Sequence, residues 1–193
     1  MTRNRFWKLL LLAQGSLLVS AGASAEIVEL DFNVSYGAVE ADGGAPWITA
    51  TIADGADAPG VPLGSVLLTI SASAGLGEAD VTQLYFNFLP GDPDNLTFDA
   101  DHVSADVSAV DNFTVLQEAA DSYRAGGDGY FDFRIDLPTE NTGGDRLTAG
   151  ESISFVISYS QALSPQDFFD LSLAGTGEDN AGPFYAAAHI QST

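Results

Sequence analysis

The sequence contains no cysteine and only two histidines, His102 and His189, which lie far apart along the chain. Without cysteine there are no disulfides, no thiolate metal sites and no cysteine nucleophile. The histidines lack the close pair that is typical of zinc sites. His189 lies on an alternating strand near Tyr185 and Gln191, so it is either a structural histidine or part of a functional surface. No serine lies in a Gly-x-Ser-x-Gly elbow, so the sequence does not indicate a serine hydrolase.

Positive charge is also scarce. The chain has 27 acidic and six basic residues, and three of the six basic residues precede position 9. Beyond residue 25 only Arg124, Arg134 and Arg146 remain, which gives a net charge of −24 for residues 26–193. This charge excludes nucleic acid and anionic lipid as partners, because both would be repelled. It is compatible with cationic partners, with metal ions or with a salty environment.

Long apolar runs are absent, but the N-terminus has the three parts of a secretory signal peptide. Arg3, Arg5 and Lys8 precede a short leucine-rich stretch, and Ala23-Ser24-Ala25 supplies the small residues of a cleavage site. The apolar stretch is too short to cross a bilayer of roughly 30 Å. The sequence therefore predicts a cleaved leader over residues 1–25 and one acidic domain over residues 26–193. We expect a secreted protein with no stable membrane anchor in its mature part.

Alternation of apolar and polar residues is the strongest pattern in the rest of the chain, and it predicts half-buried strands. The clearest candidates are 28–36, 83–88, 131–137, 152–159 and 184–191, and weaker ones lie at 47–52, 65–72, 96–98 and 113–116. Clusters of Gly, Pro, Asp and Asn between them predict turns. We therefore expect an all-β fold, an antiparallel two-sheet sandwich or jelly roll. One or two short helices are predicted, at Ser164-Pro165-Gln166-Asp167 and at 117–122.

From about Ser65 onward the chain resembles bacterial exported proteins that carry a PEP-CTERM sorting tail. The matching runs are Leu84 to Phe88, Pro93 to Phe98, Gly127 to Asp132 with Pro138-Thr139, Arg146 to Ser152, Leu163 to Phe168 and Gly182 to Gln191. The resemblance implies a secreted β-sandwich of a Gram-negative bacterium, sorted through an exosortase and associated with the envelope or biofilm matrix. It implies no enzyme activity. Family members continue into a Pro-Glu-Pro signal, an apolar helix and a basic end, which are not found before Thr193. The expectation is either a freely released relative or a truncated chain.

Aspartates gather in the predicted turns, and four of them are candidate calcium ligands: Asp92, Asp94, Asp128 and Asp132. Calcium takes six to eight oxygen ligands, which carboxylates and backbone carbonyls of loops can supply. None of these segments fits the EF-hand pattern. The alternative is that these aspartates only form turns, a role for which their side chains are well suited.

These observations favour a non-catalytic protein of the cell surface or of an extracellular, exopolysaccharide-associated matrix. The alternative is a carbohydrate-binding module, with extracellular polysaccharide as its partner and Trp47, Tyr85 and Tyr130 as the aromatic rings that would stack on sugars. A secreted hydrolase is the third hypothesis, because two of the many carboxylates could stand at the separation that glycoside hydrolysis requires. The sequence predicts no cofactor other than a calcium ion.

Overall fold

A computed structural model describes residues 8–18, 26–36, 43–56, 58–105, 113–126, 129–139, 146–175 and 182–192. Twelve strands lie in these ranges: β1 Lys8–Leu18, β2 Ile27–Tyr36, β3 Ile48–Asp54, β4 Val66–Ala72, β5 Ala79–Phe86, β6 Thr97–Ala105, β7 Thr114–Gln117, β8 Tyr123–Arg124, β9 Tyr130–Phe131, β10 Phe133–Asp136, β11 Ser152–Ser158 and β12 Ala186–Ser192. Three short 3-10 helices accompany them, Ala74–Leu76, Pro93–Asn95 and Pro165–Phe168. The prediction of an all-β fold is confirmed.

Ten strands form one antiparallel sheet in the order β6-β11-β4-β3-β2-β1-β12-β5-β10-β7, and β8 pairs with β9 in a small second sheet. The sheet turns back on itself, since the inner faces of its two halves contribute to a single apolar core. Aromatic contacts cross this core: the ring centroids of Phe98 and Phe133 lie 5.7 Å apart, and those of Phe88 and Tyr159 lie 5.2 Å apart. The fold is therefore the predicted antiparallel sandwich, with its two halves joined through β1.

The alternating pattern explains which faces are buried. In β2, Val28, Leu30 and Phe32 are fully buried, whereas Glu29 and Asp31 between them are half-buried. Successive side chains of a strand point to opposite faces, so this spacing directs one apolar row into the core. The same rule holds in β3 and β4, where alternate residues are buried. Burying each large apolar side chain contributes roughly 1.5–3 kcal/mol, which makes these rows the main source of stability.

Strand β1 is an unexpected element of the fold. The sequence analysis assigns residues 1–25 to a leader and predicts no strand there, but the structure pairs Lys8–Leu18 with β2 on one side and β12 on the other. The predicted cleavage site, Ala23 to Ala25, lies outside the described residues, so cleavage stays a prediction. The described residues contain no helix that is long and apolar enough to cross a membrane.

The two predicted helices had different outcomes. The first forms as a 3-10 helix, Pro165–Phe168, with Pro165 at its first turn. The backbone N–H of Ser164 donates to Asp167 Oδ2 at 2.8 Å, which closes the start of the helix as a capping box does. The second prediction was wrong: Gln117 ends β7, and a bend and a turn follow it. A six-residue stretch makes few helical hydrogen bonds, so tertiary contacts decide its conformation.

Candidate functional site

A polar cluster on the outer face of β12, β5 and β10 is the densest group of chemically active side chains in the described residues. Tyr85 lies directly opposite Arg134 in the neighbouring strand, and Gln83 lies opposite both Asp136 and His189. Residues that face each other across an antiparallel pair project to the same side of the sheet. A shift of register between His189 and Ile190 marks a bulge in the β12–β5 pairing. A bulge changes the direction in which nearby side chains project, and this one lies beside His189 of the cluster.

Tyr85 and His189 both contact the side-chain oxygen of Gln83 and lie beside each other. The Tyr85 hydroxyl donates to Gln83 Oε1 at 2.8 Å and lies 3.2 Å from His189 Nδ1. His189 Nδ1 is in turn 2.6 Å from Gln83 Oε1. Because an amide oxygen only accepts, both Nδ1 and the tyrosine hydroxyl can donate to it at the same time. Burial raises the pKa of Tyr85, although the positive charge of Arg134 works in the opposite direction. Tyr85 is therefore a neutral donor at physiological pH.

Arg134 lies between two tyrosine rings and is paired with a carboxylate. Its Cζ is 5.9 Å from the ring centroid of Tyr85 and 5.7 Å from that of Tyr123. Its Nη2 donates to Asp136 Oδ2 at 2.8 Å, and its Nε is 2.7 Å from Asp136 Oδ1. Burial acts to lower the pKa of Arg134, but the hydrogen bond and charge of Asp136 outweigh it, so the pKa is raised. The positive charge of the Arg134 guanidinium is therefore balanced by the Asp136 carboxylate beside it.

A second layer covers part of this face. Tyr85 packs with Ala125, Phe131, Phe184 and Ala187 in a small apolar cluster, separate from the main core, against which Tyr123 is also packed. Tyr85 is only 1% exposed as a result. The arrangement offers hydrogen-bonding groups and one imidazole, that of His189.

The predicted calcium ligands are not brought together by the described residues. Asp92 and Asp94 lie at the exposed 3-10 helix Pro93–Asn95, where Asp92 Oδ1 accepts the backbone N–H of Asp94 at 3.2 Å. Asp128 lies outside the described residues. Within the part of the chain that the structure describes, no three or more His, Asp or Glu side chains are grouped as a metal site requires.

Asp132 has a different environment from the two exposed aspartates. Its carboxylate is 8% exposed; Oδ2 accepts the backbone N–H of Phe88 at 2.7 Å, and Oδ1 accepts that of Asp121 at 2.8 Å. Asp121 is the one non-glycine residue described with a positive φ, 57°. The Asp132 carboxylate therefore connects the turn at Asp121, where the backbone has a positive φ, to Phe88, just after β5. The four-residue calcium site stays a prediction, because Asp128 lies outside the described residues.

The aromatic rings predicted to bind sugars are mostly inside the protein. Trp47 is 6% exposed, packs in the main core and donates from Nε1 to the Gly43 carbonyl at 2.8 Å. Tyr85 is buried as described above, so its ring is not accessible for stacking on a sugar. Tyr130 is half-buried, and Arg124 Cζ lies 5.9 Å from its ring centroid. Of the three rings, only Tyr130 is placed where a ligand could reach it.

Sequence reasoning missed the buried ion pair between Asp80 and Arg146. Asp80 is 3% exposed, and Arg146 Nη1 donates to its Oδ2. The pair lies beside a backbone bridge in which the Val81 N–H donates to the Leu147 carbonyl at 3.0 Å. Position 80 interrupts the apolar pattern of β5 with a charge, and this interruption was the only signal. The partner, 66 positions further on, has no sequence signal of its own.

Stability is expected to rise as the pH falls from 7 toward about 4.5. Burial raises the pKa of Asp80 and of Asp121 above the ordinary value of 3.8, and for Asp121 the charges of Asp132 and Asp170 raise it further. A raised folded pKa means that the folded state binds protons before the unfolded state does. The resulting stabilisation is complete below the unfolded pKa and is lost as the pH rises through the folded pKa.

Urea unfolding at pH 4.5, 5.5 and 7 at constant ionic strength would measure this effect. The Asp121→Asn variant, which cannot titrate at this position, should show a shallower dependence than the parent. A free energy of unfolding that falls on acidification over this interval would contradict the prediction.

No family model matches the chain, and neither the curated proteins nor the solved structures contain a match.

Proposed function

We propose that this chain is a non-catalytic exported protein of the bacterial cell surface or extracellular matrix. The observation that supports it best is that the buried polar side chains are paired within the protein. Among the described residues these are Ser65, Asp80, Thr82, Asn87, Asp132 and Ser172. Each of them makes a hydrogen bond within the fold. Buried polar side chains that are paired within the chain support the fold and are not presented to a substrate.

The best example is Asn87, which is 2% exposed and donates from Nδ2 to the carbonyls of Asp170 at 2.9 Å and Tyr185 at 3.2 Å. The side-chain amide of Asn87, just after β5, thus binds two other segments. One follows the 3-10 helix Pro165–Phe168, and the other directly precedes β12. Loops held in this way resist opening, because each lost partner would leave a buried polar group unsatisfied. A rigid, acidic sandwich suits a matrix component, and the resemblance to PEP-CTERM proteins supports the same setting.

The secreted form is expected to begin at Glu26 and to be recovered from the medium or the polysaccharide matrix. The reason is the order of basic, apolar and small residues before that position. Expression of the full chain in a Gram-negative host, followed by intact-mass analysis of each fraction, measures it. The matched control is Ala25→Arg, which blocks the small-residue site and should leave the precursor uncut. Material outside the cell that still carries Met1 to Ala25 would contradict the predicted cleavage before Glu26.

The matrix role is tested by incubating the exported protein with a panel of extracellular polysaccharides, with and without calcium. Retention by a polysaccharide without release of reducing ends is the expected result. Release of reducing ends would favour the hydrolase hypothesis instead.

A carbohydrate-binding module is the second candidate, and Tyr130 favours it because that ring remains partly accessible beneath Arg124. Saturable binding of one defined oligosaccharide that is lost in Tyr130→Ala but kept in Tyr123→Ala would select this alternative.

A further inference from the structure

Strand β1 is paired on both sides only in its centre. Residues from Lys8 to Ala13 pair with β12, and residues from Leu10 to Leu18 pair with β2. The stretch from Leu10 to Ala13 therefore has neighbours on both sides, whereas the two ends of the strand each have one. Strand β1 crosses from one half of the sandwich to the other and connects their hydrogen-bond ladders.

Removing β1 would divide the ten-stranded sheet into two. The order of strands leaves β6-β11-β4-β3-β2 on one side and β12-β5-β10-β7 on the other, and no ladder among the described residues joins β2 directly to β12. Both strands would then present unpaired N–H and C=O groups at neighbouring edges. An exposed edge of this kind is a template for pairing with another extended chain.

The edges also specify what kind of strand fits. On the β12 side the pairing partners of β1 include Ala186, Ala187 and Ala188, which are fully buried and lie alternately on the two faces of the sheet. On the β2 side the register shifts between Leu12 and Ala13, so Asn33 is passed over in the pairing. A bulge at a defined position fixes the register of the incoming strand. The strand that occupies this place is rich in leucine and carries one charge, at Lys8.

We propose that the edges of β2 and β12 form an acceptor site for one extended, leucine-rich peptide strand. Residues 8–18 fill it in the full chain, and it opens to a peptide of the same chemistry when the chain is cut after Ala25. In the cell, the cut after Ala25 during export is the event that opens the site, and only this step rests on the proposed function. Main-chain hydrogen bonds supply the affinity, and the position of the bulge supplies the register.

The test uses the full chain with a specific protease site placed between residues 19 and 25, folded first and cut afterwards. We expect the fragment that contains residues 8–18 to co-elute with the rest of the protein on size exclusion. A fluorescent synthetic peptide of residues 8–18 should then exchange into the site and show saturable anisotropy. The matched control is the same peptide with Leu12→Pro, which removes one ladder N–H and should bind at least about fivefold more weakly.

Two results would overturn the proposal. One is a fragment that separates after the cut while the labelled peptide fails to bind a domain that is still folded, because the edges have then closed on each other. The other is binding of the Leu12→Pro peptide with unchanged affinity, since a strand site must depend on the ladder. Cleavage in the cell is measured separately by intact mass, so a retained N-terminal segment would refute cleavage without deciding whether the acceptor site exists.

Discussion

Replacing Arg146 with methionine is expected to lower the free energy of unfolding by about 3 kcal/mol at pH 7. The substitution leaves the Asp80 carboxylate, which is 3% exposed, without the cation that it contacts. Breaking a buried pair costs more than the pair contributes, because the remaining charge must be desolvated alone or take up a proton. The expected loss is at the low end of the usual range, since the Arg146 side chain is 13% exposed. Urea unfolding at pH 7 measures it.

Two further variants separate the buried charge from lost packing. In Arg146→Met combined with Asp80→Asn the carboxylate is gone, so most of the lost stability should return. In Arg124→Met an exposed arginine over Tyr130 is removed, and the expected change is about 1 kcal/mol or less. If the double variant is as unstable as Arg146→Met alone, the loss arises from the methylene stem of Arg146 and the charge argument fails.

The ion pair also illustrates what a sequence can and cannot reveal about this fold. Alternation located the strands that became β2, β10, β11 and β12, because the period of two is a local property of a half-buried strand. The pairing of Asp80 with Arg146 depends on the bridge between Val81 and Leu147, which is set by the tertiary fold. No local pattern encodes a contact of that separation.

The outer-face cluster shows the same limit at the candidate site. Alternation correctly placed Tyr85 on the opposite face from Leu84 and Phe86, and the sequence analysis counted its ring among those that could stack on a sugar. The ring is buried because Tyr123, Phe131 and their neighbours form a second layer over that face. Periodicity reports which residues share a face, but it does not report whether another segment covers that face. Burial of Asn87, at 2% exposure, went unpredicted for the same reason.

The leader shows a different limit. An apolar stretch flanked by basic and small residues fulfils the requirements of a signal peptide. The same eleven residues also satisfy the requirement of a strand, which is a backbone able to pair on both sides. Composition does not distinguish the two roles, so cleavage of this stretch as a leader stays a prediction.

Replacing Asp132 with alanine is expected to lower the free energy of unfolding by about 3 kcal/mol. The variant leaves the backbone N–H groups of Phe88 and Asp121 without the carboxylate that accepts from both. Hydrogen bonds to a charged group each contribute about 1.5–3 kcal/mol, and the bond from Phe88 is fully buried. Asp132→Asn keeps one acceptor oxygen and should lose about half as much. Urea unfolding at pH 7 gives both values.

The same variant decides whether Asp132 supports the fold directly or through a bound calcium ion. If its role is to accept the two N–H groups, Asp132→Ala loses the same stability in chelator as in calcium, because both contacts are within the chain. If Asp132 ligates calcium, the parent gains stability as calcium increases and saturates, by mass action on the folded state, whereas the variant does not. Asp92→Ala is the matched control: it removes one exposed N–H acceptor and should cost about 1 kcal/mol or less under both conditions. Calcium-dependent stabilisation that disappears in Asp132→Ala would overturn the structural role argued here.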